Sequence, residues 1–294
     1  MPCRIKGKFR LKGIRTTNPV AVGDRVTVGD VPSPDGVYYI VAISPRDNYI
    51  IRRASNLSKE SHIIAANIDQ AVLVMTLAHP TTATMFVDRF LATAEAYRVK
   101  AVLLINKVDL LTDCEDIELL DAFSYLYRSI GYDVLHVSAK TGAGMDAVRG
   151  MMGGRITLFS GNSGVGKSTL INDLIPGLDL RTAEISHTHD AGMHTTTFSE
   201  MFFLPGGRDA GAVIDTPGVR GFGTIDFDRH EVGHFFPEIF RESANCRFGD
   251  CTHTHEPGCA VLEAVGENRI SASRYGSYIS IMDDADEGKY RKGY

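Results

Sequence analysis

Four apolar stretches organise the middle of the chain: Ala71-Val72-Leu73-Val74-Met75, Ala101-Val102-Leu103-Leu104-Ile105, Ile156-Thr157-Leu158-Phe159 and Gly211-Ala212-Val213-Ile214. None alternates with polar residues, so each reads as a strand covered on both faces. Residues 84–98 instead place Phe86, Phe90, Leu91 and Ala94 on one helical stripe. Residues 117–130 are also amphipathic, 133–137 form another strand, and 170–175 open a helix. Strands alternating with helices predict a parallel α/β sheet, whose ligands sit at the carboxyl ends of the strands.

The flanks have other patterns. Residues 20–28, 37–43 and 49–53 read as short strands, with Ser33-Pro34-Asp35-Gly36 as a turn between them. In Arg4-Ile5-Lys6-Gly7-Lys8-Phe9-Arg10-Leu11-Lys12, period two puts five basic side chains on one strand face. This predicts a small β-barrel over 1–66, of which an oligonucleotide-binding (OB) barrel is one candidate. A one-sided basic strand suits a phosphate backbone, and equally suits a solvated face. After about residue 222 the apolar runs shorten and cysteines and histidines gather. Residues 260–265 and 271–282 read as helices, and the last ten or so as a polar tail. The predicted division is 1–66, 67–222 and 223–294.

Composition narrows the class. The 294 residues are 44% hydrophobic and 23% charged, with a net charge of −5. That is globular, and it argues against a uniformly basic nucleic-acid coat protein. The longest apolar run, 71–78, is strand-sized, well short of a membrane span of ~20 residues. The first residues lack a signal-peptide pattern, which predicts a cytoplasmic protein. Nothing calls for more than a monomer.

The chemistry lies in the loops. Gly161-Asn162-Ser163-Gly164-Val165-Gly166-Lys167-Ser168-Thr169 fits G-x-x-x-x-G-K-[ST] between a strand and a helix. Such a loop turns backbone N–H groups onto phosphate oxygens at a helix N-terminus. Lys167 would reach the β- and γ-phosphates, and Ser168 would bind Mg²⁺. Asn106-Lys107-Val108-Asp109 follows a strand as N-K-x-D. A carboxylate at Asp109 can accept from guanine N1–H and its 2-amino group together, donors that adenine lacks. Ser138-Ala139-Lys140 supplies a second base loop, with the Ala139 N–H aimed at guanine O6. Asp215-Thr216-Pro217-Gly218 is D-x-x-G: Asp215 on the Mg²⁺ side, the Gly218 N–H sensing the γ-phosphate. Val219 stands where many GTPases have a water-orienting glutamine. His194 is then the catalytic candidate, beside switch threonines Thr195 and Thr196, one of which would bind Mg²⁺. These are the parts of a guanine-nucleotide switch in permuted order, with the base loops ahead of the phosphate loop.

A second cluster is Cys246-x4-Cys251-x-His253-x5-Cys259. Three thiols and an imidazole fit a closed tetrahedral Zn²⁺ site. His255 is an alternative to His253. Cys3 and Cys114 read as ordinary thiols.

With the permuted loops, His194-Thr195-Thr196-Thr197, Ala65-Ala66-Asn67-Ile68-Asp69-Gln70 and the cysteine cluster ending Glu256-Pro257-Gly258-Cys259, the chain resembles the bacterial ribosome small subunit-dependent GTPase A family. The resemblance covers nearly the whole chain. It implies an OB barrel, a circularly permuted GTPase domain and a zinc domain. It implies a late role in maturation of the small (30S) ribosomal subunit, rRNA binding near the decoding region, and slow GTP hydrolysis stimulated by the subunit. The family's catalytic histidine falls on His194. Family members usually carry a strand ahead of the basic stretch, so the resemblance leaves two expectations: a truncated start, or a barrel short of its first strand. Two other readings remain open: a P-loop ATPase with an unrelated zinc module, and a non-enzymatic zinc and RNA adaptor with a vestigial nucleotide site.

Overall fold

The computed structural model of the chain describes residues 1–5, 19–53, 61–180, 199–216 and 228–290. At its centre lies a six-stranded sheet. Its strands are β6 (Gln70–Met75), β7 (Lys100–Ile105), β8 (Asp133–His136), β9 (Ile156–Gly161), β10 (Glu200–Phe203) and β11 (Ala212–Asp215), in the order β10-β11-β9-β6-β7-β8. All neighbours are parallel except β10, which pairs antiparallel with β11 at the edge.

Period two along each strand sorts the core into layers. Ala71, Leu73 and Met75 of β6 and Ala101, Leu103 and Ile105 of β7 pack with Val87, Phe90, Leu91 and Ala94 of α1 (Thr84–Ala96) and Phe123, Tyr127 and Ile130 of α2 (Cys114–Ile130). Val72, Val74, Val102 and Leu104 face the other way. They meet Val148 of α3 (Met145–Met152) and Leu170, Ile171 and Leu174 of α4 (Lys167–Leu174). Both faces are covered, as the unbroken apolar runs require.

The expected boundaries shift for local reasons. The helix expected from 84 stops at Ala96. The one expected from 117 starts a turn earlier at Cys114, because Asp113 caps it by accepting the Asp116 N–H at 2.8 Å. The final helix of the described residues runs through Tyr290, although a polar tail was expected over the last ten or so residues: polar residues alone do not break a helix that no proline interrupts. Strand β10 and helices α3 and α5 (Pro237–Ser243) were not among the expected elements.

Among the described residues, five short strands precede the sheet: β1 (Cys3–Ile5), β2 (Val26–Val28), β3 (Tyr38–Ile43), β4 (Tyr49–Arg53) and β5 (Ser61–Ala66). They form a sheet ordered β1-β3-β2 and a β4-β5 pair. The strand expected over 20–28 survives only at 26–28, because Gly23 adopts a φ of +90° and Val22 makes an isolated bridge to Ala65. Of the basic stretch, Arg4 lies on β1 and pairs with Asp35, while Lys6, Lys8, Arg10 and Lys12 lie outside the described residues. This region joins the central sheet through asparagines. Asn48 donates to Ile68 O and accepts from Ile68 N, and Asn67 donates to Gly23 O and accepts from Asp47 N, all at 2.8–2.9 Å.

At the other end, α5, α6 (Ala260–Gly266) and α7 (Ala272–Tyr290) enclose Phe236, Ile239, Val261, Tyr278, Ile281 and Met282 around Ala92 of α1. Arg274 of α7 is 1% exposed in this seam. Its Nη1 donates to Asp88 of α1 at 2.8 Å, its Nε and Nη2 donate to Glu238 of α5 at 2.6 and 3.1 Å, and its guanidinium lies 4.5 Å from the Phe236 ring. Burial alone would lower the Arg274 pKa, but Asp88 and Glu238 hold it above its usual value. No helix among the described residues is long and apolar enough to cross a membrane.

Candidate nucleotide and metal sites

The phosphate loop joins β9 to α4. Gly166, just ahead of the helix, has a φ of +88°, and a Cβ there would lie 2.4 Å from Asn106 Nδ2. A side chain at Gly161 would meet Val74 O at 2.5 Å. Both positions therefore need glycine, the first for conformation and space and the second for close approach between strands. Val165 is fully buried, while Ser163, Gly164 and Thr169 are exposed and Asn162 and Ser168 half-buried. Lys167 contacts Asp215, which ends β11. The cation expected on phosphate and the carboxylate expected on the Mg²⁺ side thus converge.

Asn106 joins three loops. It is 2% exposed at the end of β7; its Nδ2 donates to Val165 O at 2.8 Å, and its Oδ1 accepts the Ala139 N–H at 3.1 Å. One side chain thereby ties base loop, phosphate loop and second base loop together. Lys107, left-handed with a φ of +63°, sends its ammonium to His79 O at 2.5 Å and Gly164 O at 2.7 Å. Asp109 accepts from Ser138 Oγ at 2.6 Å, and Ser138 Oγ itself accepts the Thr141 N–H at 3.1 Å. That chain ties the Asp109 carboxylate to the second base loop. Val108 packs against the core and Lys140 is exposed. His194, Thr195, Thr196 and Gly218 lie outside the described residues.

The cysteine cluster closes over a shorter span. Ligand atoms of Cys246, Cys251, His253 and Cys259 all lie within 4.8 Å of one another. Cys246 Sγ is 3.6 Å from His253 Nδ1, Cys259 Sγ is 3.5 Å from it, and the two sulfurs are 3.9 Å apart. A tetrahedron with Zn–S of about 2.3 Å and Zn–N of about 2.0 Å has edges of roughly 3.8 Å between sulfurs and 3.5 Å from sulfur to nitrogen. The donor set fits Zn²⁺. His253 is buried, whereas His255 is exposed and its Nδ1 meets Thr254 Oγ1. Burial lowers the His253 pKa, favouring the neutral imidazole that binds metal, and raises those of the Cys251 and Cys259 thiols.

Several supports were not visible as motifs. Glu256 accepts the N–H groups of Thr252, Thr254 and His255 at 2.8–3.2 Å and holds the loop that carries His253. Tyr275 and Tyr278 of α7 donate to His253 O and Thr252 O at 2.8 and 2.7 Å. Their i, i+3 spacing was legible, but their target was not.

Strand order and loop placement together define a P-loop GTPase fold with circularly permuted motifs. The profile described as RsgA GTPase matches residues 43–225. A "Small ribosomal subunit biogenesis GTPase RsgA" of Bacteroides fragilis is 60% identical over 99% of this chain and 92% of its own length, and a namesake from Porphyromonas gingivalis is 57% identical over the same shares. Among solved structures, YjeQ from Thermotoga maritima superposes with a TM-score of 0.76 at 33% identity, over 99% of this chain and 90% of that one. YloQ, titled a circularly permuted GTPase, gives 0.73 at 30%, over 99% and 88%. The chain belongs to the RsgA GTPase family.

Proposed function

We propose that this protein hydrolyses GTP to GDP and phosphate as an assembly factor of the small ribosomal subunit, acting in the cytoplasm where subunits are made. The observation that carries this reading is the Asn106 junction, which brings both base loops against the phosphate loop. Asp109, oriented by Ser138, selects guanine; Lys107 and Lys140 flank the base, and the Ala139 N–H meets O6. Gly161 to Thr169 wrap the phosphates, with Lys167 on the β- and γ-oxygens. Mg²⁺ is held by Ser168 and one of Thr195 and Thr196, with Asp215 on its water shell. Gly218 senses the γ-phosphate, and His194 supplies the water-orienting group that Val219 cannot.

Residues 1–66 act as an OB-like barrel that grips rRNA through Arg4 and the basic stretch after it. Residues 67–222 form the GTPase domain. Residues 223–294 carry one structural Zn²⁺ on Cys246, Cys251, His253 and Cys259. The chain works as a monomer. The test is turnover of GTP and ATP with and without purified small subunits at two salt concentrations. GTP-only turnover, slow alone and faster with subunits, supports the reading. Equal use of ATP, or indifference to subunits, overturns its base or partner assignment respectively.

A further inference from the structure

Between β6 and α1, residues 76–82 make a tight loop that belongs to none of the nucleotide motifs. Buried Thr76 and Thr82 lock it. The Thr76 N–H donates to Thr82 Oγ1 at 3.2 Å, the Thr82 N–H donates to Thr76 O at 2.9 Å, and the Thr76 hydroxyl donates to Pro80 O. The product of this lock is exposed. His79 adopts a φ of +51°, and its carbonyl accepts the Lys107 ammonium, which also bonds Gly164 O. Pro80 stands beside Gly164: its Cδ would be 3.5 Å from a Cβ there. The loop therefore touches the base motif and the phosphate loop at one point.

From this geometry we infer that residues 76–82 are a positioning loop for the nucleotide, acting through Lys107 and Gly164. Thr76 and Thr82 set the loop, His79 presents the carbonyl, and Pro80 backs the phosphate loop. Lys107 spans the two carbonyls and keeps its stem in register with the base. Loosening the lock frees Lys107 and Gly164 together, so nucleotide escapes faster, while Asp109 still chooses guanine. The inference rests on reading the site as a guanine-nucleotide site.

The test is release of a fluorescent GDP from the full chain, in the parent and in Thr76→Val, Thr82→Val and Thr82→Ser. Valine matches threonine in shape, so each variant loses mainly a hydroxyl. A buried hydrogen bond of this kind corresponds to about tenfold in rate. Both valine variants are expected to release GDP about tenfold faster, with guanine-over-adenine preference kept, and Thr82→Ser to restore slow release. His79→Val, in which a β-branched residue resists positive φ, is expected to act like the valine variants without touching the threonines. Release within twofold of the parent in all three valine substitutions overturns the inference. So does fast release that Thr82→Ser fails to restore. A parent that binds no GDP would sink the guanine-nucleotide reading instead, before the loop is tested.

Discussion

The nucleotide loops and the cysteine cluster solve the same problem, convergence of polar groups, in opposite ways. The nucleotide loops come from Asn106, Ala139, Val165 and Asp215, spread over more than a hundred positions, and each is delivered by its own strand. The Asn106 amide, the Lys107 ammonium and the Lys167–Asp215 ion pair tie them together. The cysteine cluster draws four ligands from residues 246–259 in a stretch with no strand of its own, held by Glu256 and two tyrosines. A site built on a sheet tolerates reordering of its motifs along the chain, since every loop keeps its strand end. A site built from one irregular segment has no such scaffold, and a metal ion on its four ligands would supply one.

Metal removal should separate the two most sharply. Structural zinc contributes on the order of 10 kcal/mol to the folding of small zinc modules. Chelation, or Cys259→Ser, should therefore abolish hydrogen-exchange protection around 246–259 while β6, β7 and β9 stay protected. Protons compete for the same ligands, so metal affinity should fall as the pH drops. Equal loss in the central sheet would break the comparison.

Arg274→Met should come next. It strands Asp88 and Glu238 without their cation, and breaking such a buried pair costs about 3–5 kcal/mol. Denaturant unfolding followed by circular dichroism should show that loss, and a cost under about 1 kcal/mol would count against the buried-pair account. The smallest of the three is Asn106→Ala. It leaves the Val165 carbonyl and Ala139 N–H without partners, at about 1–3 kcal/mol. GDP affinity should fall accordingly with zinc content unchanged, and coupled loss of zinc would show that the sites are not independent.

The same contrast governs what could be read from sequence. Short contiguous motifs such as Gly161 to Thr169 and Cys246 to Cys259 carry their chemistry in spacing alone. The double-covered strands were legible because burial on both faces leaves no polar alternation. His253 was preferred to His255 as the fourth ligand of the cluster, and its ring is the buried one. Arg274 was not legible: a lone arginine in a polar helix looks like a solvated face until Asp88 and Glu238 are placed around it. The lock at 76–82 was equally hidden, since two threonines and a proline between a strand and a helix read as an ordinary connection. Strand β10 and helix α5 were missed because Glu200–Phe203 holds no fully buried residue and Pro237–Ser243 carries only two apolar side chains, Ile239 and Phe240.

The Arg274–Asp88 contact joins residues 186 positions apart. During synthesis, the carboxylate of α1 emerges long before its cation, and at ~5–20 residues per second the wait is roughly 10–40 s. Over that interval the face of α1 that carries Asp88 and Ala92 stays open to water, since the helix that covers it has yet to be made. Closure of this seam is among the last events in the birth of the protein. A chain truncated before α7 would carry every nucleotide motif and still leave Asp88 without its cation on an unfinished surface.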